Sequence, residues 1–356
     1  LPNNEYCEIL TNILLRESNE EKKAPIDFRS LSVREFGTIY EGLLESELSV
    51  AETDLAVDKK GKYYPTKIIE KIAVKKGETY LHNRSGDRKS SASFYTRNFA
   101  VEDILDKTLE PAIDEHFKRL TNLNDVDQAD NLFSFRVADI SMGSGHFLVA
   151  AIDRIERRFA IWLKENPNPV IKRELQYLSD AAKKEIGELT NNISINESQL
   201  LRRMIARRCI YGVDINPLAV QLSRLSIWIH SFVPGLPLSL LDHNLVNGNA
   251  LIGIDSLDQI QRKLAGDQGT IFAFNSFEAL KKAAEPLNRL ANITEASIKD
   301  IQLGRSLLEE AKLNIKDTEI LCDLITAQSV SKDLELKNFL FENWDRQKKD
   351  IKQNKA

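Results

Sequence analysis

The residues in this chain best suited to chemistry are an acid and two glycines in Val137-Ala-Asp-Ile-Ser-Met-Gly-Ser-Gly-His-Phe-Leu148. A β-prone run ends in Asp139. A short loop through Ser141, Gly143, Ser144 and Gly145 follows, then an apolar, alanine-rich run from Phe147 to Ile152. This order of strand, glycine loop and helix is the grammar of a nucleotide-type cofactor site. Glycine permits a tight turn and lets the backbone approach a ligand with no Cβ between them. The helix that follows aims unpaired N–H groups and its positive dipole end at whatever anion lies there.

A dinucleotide fingerprint would need a third small residue at position 148, where helix and strand close around a pyrophosphate. The chain has Leu148 there, preceded by Phe147. The loop therefore suits a ligand that presents a carboxylate instead, and S-adenosylmethionine (SAM) is the candidate. A second acid, Asp214, ends the strand-like run Cys209-Ile-Tyr-Gly-Val213. A carboxylate at that place can accept from both hydroxyls of a ribose, with Ile215 set to lie against an adenine. A third segment, Leu241-Asp-His-Asn-Leu-Val-Asn-Gly-Asn-Ala-Leu-Ile-Gly253, puts Asn249 after another short strand, where an amide can read the adenine edge.

The elements that must position these residues follow from periodicity. Residues 1–50 read as helix, with Phe36, Ile39, Tyr40, Leu43 and Leu44 at helical spacing. Residues 51–80 alternate around Tyr63, Tyr64 and Val74 and predict a hairpin or loop. A polar loop over 82–93 leads into Phe94-Tyr-Thr96 and a helix through Val101, Ile104, Leu105 and Leu109. In a minimal βαβ unit the ribose acid comes about 20 residues after the glycines. Here Asp214 follows Gly143 by 71 residues. Helical stripes at Ile155–Leu163, Ile171–Ile186 and up to Ile205 fill the gap, which predicts an insertion over about 153–206 packed outside the sheet. From about residue 256 onward only amphipathic helix is predicted. The expected division is a helical region with loop or hairpin over 1–90, a core over 91–255, and a helical extension over 256–356.

Taken together the segments resemble the amino-methylating DNA methyltransferases, above all the long adenine-N6 enzymes of type IIG restriction–modification systems. Leu31–Leu44 resembles a segment those proteins carry upstream. Arg88-Lys-Ser-Ser-Ala-Ser-Phe-Tyr-Thr96 resembles their first cofactor motif, Asp139–Phe147 the glycine loop, Tyr211–Ala219 the ribose motif and Gly248–Gly253 the adenine motif. The resemblance implies a Rossmann-like α/β fold, SAM as cofactor and double-stranded DNA as partner. It implies that Phe94, Tyr95 and Thr96 hold the methionine part and that Asp139 faces the ammonium. Ser141, Gly143, Ser144, Gly145 and Phe147 would form the loop, with Asp214 and Ile215 at the ribose and adenine and Asn249 at the adenine edge. Ala92 and Arg97 stand where the family has Gly and Pro, and Ile140 and Ser141 where it has Pro and Ala. The family transfers its methyl group at an Asn/Asp-Pro-Pro-aromatic tetrapeptide, which does not occur in this sequence. No catalytic residue is therefore assigned, and the chain alone is expected to bind cofactor without turnover. A methyltransferase for RNA or protein, and a non-catalytic scaffold of the same fold, are the other readings.

Composition adds bounds. A net charge of −4 argues against wholesale coating of a polyanion but leaves room for a local basic cleft. Three scattered cysteines, Cys7, Cys209 and Cys322, predict reduced thiols and a cytoplasmic setting. No apolar run reaches the roughly 18 residues of a membrane span. The five histidines show no metal-ligand spacing. The pairs Arg202-Arg203 and Arg207-Arg208 read as a solvated helix end, with phosphate contact as the alternative. The ends at Leu1 and Ala356 look cut, so an excerpt of a longer polypeptide is expected.

Overall fold

The computed structural model describes residues 7–8, 11, 15–17, 23–25, 46–58, 63–68, 71–83, 96–187, 195–254, 256–264 and 267–330. The chain divides into two compact units, Leu1–Tyr95 and Thr96–Ala356.

The first unit is built of short antiparallel pairs. Strand β1 (Leu15–Glu17) pairs with β2 (Lys23–Pro25), β3 (Ser46–Val50) with β6 (Thr79–Asn83), and β4 (Leu55–Val57) with β5 (Tyr63–Pro65). The hairpin expected within 51–80 is thus present. The helix expected over 1–50 gives way to strand at β1, β2 and β3, because cross-strand pairing overrides a weak local helical pattern. The upstream segment Leu31–Leu44 lies outside the described residues. Ala51, Leu55 and Val74 form a small core with Tyr63 and Tyr80 packed on it.

The second unit is an α/β arrangement, mostly helical. Helices α1 (Asn98–Leu120) and α2 (Asp125–Leu132) lead into β7 (Val137–Asp139). Then come α3 (His146–Glu165), α4 (Pro169–Ile186), α5 (Glu197–Arg208), β8 (Ile210–Asp214), α6 (Pro217–His230) and β9 (Leu245–Asn247). The three strands form one parallel sheet in the order β7-β8-β9. Parallel neighbours require crossover connections, and helices supply both of them. Register pairs Asp139 with Gly212 and Asp214 with Asn247, so the acids end adjacent strands.

Capping chemistry starts the helices. Asn168 accepts from the amides of Val170 and Ile171 with Pro169 in the first turn of α4, and Asn196 forms a capping box with Gln199 at α5. Asn216 accepts from Leu218 N at 2.9 Å, with Pro217 opening α6. Helix α3 buries Leu148, Ile152, Ile155, Phe159 and Trp162 on one stripe, the 3.6-residue pattern read from sequence. It runs unbroken through residue 153, so the added helices begin at Pro169.

Beyond the sheet, α7 (Leu257–Leu264), α8 (Asp267–Ala291) and α9 (Ile298–Val330) are all helix, as expected after residue 256. The arginine pairs of α5 are neither solvated nor free for phosphate. Arg203 and Arg207 are buried beside Glu295, and Arg207 donates to the carbonyls of Leu290, Ala291 and Ile293. Arg208 pairs with Glu174, and Arg202 lies 3.4 Å from Asp153. Among the described residues, no helix is long and apolar enough to cross a membrane.

Candidate cofactor site

The carboxyl ends of β7, β8 and β9 converge on one edge of the sheet, and the loops leaving them carry most of the sequence-predicted residues. Ligands of open α/β sheets bind outside that edge. After β7 the chain turns through Ile140, Ser141 and Met142. Asp139 Oδ1 accepts from Ser141 N at 3.0 Å, closing the first turn. Met142 is buried and donates its amide to Val213 O at 3.2 Å, tying the loop to the neighbouring strand.

Both glycines of the loop have left-handed backbone, with φ +53° at Gly143 and +85° at Gly145. They serve different ends. A Cβ on Gly145 would stand 2.6 Å from Ser223 Oγ and 3.3 Å from Ser223 Cα, so this glycine lets α3 start close against α6. A Cβ on Gly143 would meet nothing within 4 Å. The peptide at Gly143 therefore faces open space, as a loop that admits a ligand must. Gly145 is the N-cap of α3, and no side chain caps that end. The first-turn amides of a 20-residue helix thus lie next to this space.

Asp214 joins the two loops. Its Oδ2 accepts from Gly143 N at 2.9 Å and its Oδ1 from Asn216 N at 2.8 Å. Only 9% of the residue is exposed. Each carboxylate oxygen has a second lone pair, so two further donors can still be accepted. Asp139 sits close enough to feel that charge. Burial pushes its carboxyl up, the Ser141 amide works against this, and Asp214 pushes it up further.

Ile215 is 63% exposed, an apolar side chain held out beside Asp214. Its position is fixed from β9, because Asn247 Nδ2 donates to Asp214 O at 2.9 Å and Ile215 O at 3.0 Å. Asn249 is exposed, and its Oδ1 accepts from Leu251 N at 2.9 Å and Ile252 N at 3.1 Å. The carbonyl end thus shapes its own loop, leaving the amide NH2 as the end that can donate to an acceptor. Ser144 is buried, Phe147 half-buried and Ser141 exposed.

Thr96, at the start of the second unit, reaches the loop through His146. The His146 ring hydrogen-bonds to the backbone of Thr96, and burial lowers its pKa. Phe94 and Tyr95 lie outside the described residues. The structure therefore brings together Thr96, Asp139, Ser141, Gly143, Ser144, Gly145, Phe147, Asp214, Ile215 and Asn249. Sequence reasoning passed over Asn247 and Ser223. An Asn just before Gly248 at a strand end was a readable signal for the first; nothing local marks Ser223. Among the described residues, no cluster of His, Cys, Asp or Glu could hold a metal ion.

Comparison with known proteins gives one informative match. The chain is 25% identical over 251 residues, 57% of its length, to a Methanocaldococcus jannaschii protein named "Putative type II restriction enzyme and methyltransferase". The chain covers 19% of that relative's length. No family model matches the chain, and no solved structure matches it.

Proposed function

We propose that this chain is the SAM-binding portion of a restriction–modification DNA methyltransferase that methylates adenine at N6, built on a Rossmann-like core. The observation that carries the reading is the bond from Gly143 N to Asp214 Oδ2, which couples the glycine loop to the ribose acid at the carboxyl edge of a parallel sheet. The name of the M. jannaschii relative agrees with it, as does the sequence resemblance to type IIG enzymes.

The residues suit the cofactor. Open space at Gly143 and the uncapped start of α3 provide for a carboxylate. Asp139 provides for an ammonium, Asp214 for the vicinal hydroxyls, Ile215 for one face of a purine and the Asn249 NH2 for a ring nitrogen. Thr96, with Phe94 and Tyr95 before it, provides for the methionine chain. When bound, SAM supplies an electrophilic methyl group. The chain's own part is to orient that sulfonium ligand by its two ends and to hold an apolar wall against its base. In the parent enzyme, adenine N6 of a base flipped from duplex DNA would receive the methyl group. The tetrapeptide that the resemblance assigns to this transfer does not occur in the sequence, so this chain binds without turnover.

Calorimetric titration of SAM into the wild type and Asp214→Ala tests the reading. The wild type binds, and the variant loses at least about tenfold, since a hydrogen bond to a charged group contributes about 1.5–3 kcal/mol. Equal affinity, or no binding by either protein, would overturn the cofactor assignment. Methylation of duplex DNA by this polypeptide would overturn the binding-without-turnover reading.

A further inference from the structure

Helix α1 carries acids at a four-residue pitch, Glu102, Asp106, Glu110 and Asp114, and α3 carries Arg154 and Arg158 at the same pitch. Residues four apart share a helix face. Arg154 donates to Glu102 and Asp106 and lies 3.4 Å from Glu110, while Arg158 donates to Glu110 and Asp114. The flanks give this row its meaning. One pitch before Glu102 stands Asn98, and one pitch after Asp114 stands Lys118.

A slide of α1 by one turn, about 5.4 Å, in one sense would bring Lys118 against Arg158. In the other sense it would bring uncharged Asn98 against Arg154. Only one register gives each guanidinium two acids. The rest of the interface does not discriminate so sharply. Phe117 stacks on Trp162 and tilts against Phe159, and such apolar contact is non-directional. Mismatched charge, by contrast, is a device for excluding alternatives. The Arg154 side chain is only 11% exposed, which shields its pairs from the screening that weakens open surface ion pairs.

The register matters at the N-terminal end of α1. Thr96 lies two residues before that helix, and its backbone bonds to His146, the residue after Gly145. We propose that Arg154 and Arg158 are positioning residues for the cofactor site, fixing the axial register of α1 on α3 and so holding Thr96 against His146 beside the glycine loop. This rests on the SAM-site reading above. Neither arginine touches the ligand; both act through α1.

The test uses the full chain labelled with 15N-histidine, with His146 assigned through His146→Gln. In Arg154→Glu/Arg158→Glu the His146 ring-nitrogen signals shift and the Kd for SAM rises about tenfold. Adding Asp106→Arg and Glu110→Arg restores opposite charges and returns both readouts toward wild type. Leu178→Ala, a cavity in α4, lowers stability but leaves both unchanged. If the double reversal does not fold, Asp106→Asn/Asp114→Asn is expected to move both readouts in the same direction by a smaller amount. Unchanged His146 signals in the charge variants, or an equal shift in Leu178→Ala, would overturn the proposal. If the wild type fails to bind SAM, the cofactor reading falls while the His146 signal still decides the register.

Discussion

Gly145→Ala isolates the packing role of one glycine from the ligand role of the other. The substitution puts a Cβ on a residue at φ +85°, which costs about 1–2 kcal/mol for an L-residue. The new carbon also falls 2.6 Å from Ser223 Oγ and 3.3 Å from Ser223 Cα. Overpacking of this kind costs about 1–3 kcal/mol. Together the loss is about 2–5 kcal/mol, or roughly 5–15 °C in Tm for a unit of this size. Ser223 is fully buried, and among the described residues its hydroxyl has no hydrogen-bond partner. Ser223→Ala alone should therefore be neutral or slightly stabilising. In the Gly145→Ala background it should recover the overlap share and leave the backbone strain. Gly143→Ala is the control: it carries about 1 kcal/mol of strain with no overlap, so it should weaken SAM binding far more than it lowers Tm. Differential scanning calorimetry with SAM titration reads all four proteins. A Gly145→Ala loss below about 1 kcal/mol, or no recovery with Ser223→Ala, would refute the close-approach argument.

Three further outcomes follow from the same contacts. The raised Asp139 carboxyl keeps its proton to higher pH in the folded state than in the unfolded chain, so stability falls as pH climbs from the ordinary carboxylate pKa through the raised one. Asp139→Asn should flatten that decline and raise Tm at neutral pH, yet weaken SAM; a thermal-shift series from about pH 4 to pH 7 checks the sign. Glu295→Ala strands the buried Arg203 and Arg207 and should destabilise by about 3–5 kcal/mol in urea unfolding, with Glu295→Met/Arg207→Met recovering part of it. Phe159→Ala, at the contact of α1 and α3, should cost about 3–5 kcal/mol by the same measurement.

What was legible in the sequence was local chemistry. The glycine loop, the acids ending β7 and β8 and the short third strand could all be read because each is a strand end followed by a turn residue. The helices after residue 256 were legible because amphipathic stripes repeat over several turns. The arginines of α5 were not. Their partner Glu295 lies 92 residues beyond Arg203, and nothing near Arg203 announces it. Three strands in the first unit were also missed, since each spans only three to five residues and owes its form to a partner strand. Ser223 reads as an ordinary helix residue until Gly145 is placed against it.

The long crossover between β7 and β8 poses a physical question, because a ribose acid 71 residues from its glycine loop must still arrive in register. The answer lies in where the inserted helices end. Helix α5 finishes one residue before β8, and its last turn is tied to the sheet by Asn244, whose Nδ2 donates to Arg207 O at 2.9 Å and Ile210 O at 2.7 Å. Asn244 in turn precedes β9, and its carbonyl accepts from Gly212 N at 2.9 Å. One buried asparagine thus couples the end of the insertion to two strands at once. Glu295, from the loop between α8 and α9, holds Arg203 and Arg207 of the same helix end. Length between β7 and β8 is free to vary so long as this junction is kept. Asp214 then lies four residues beyond Ile210, at a place fixed by β8 pairing rather than by the helices before it.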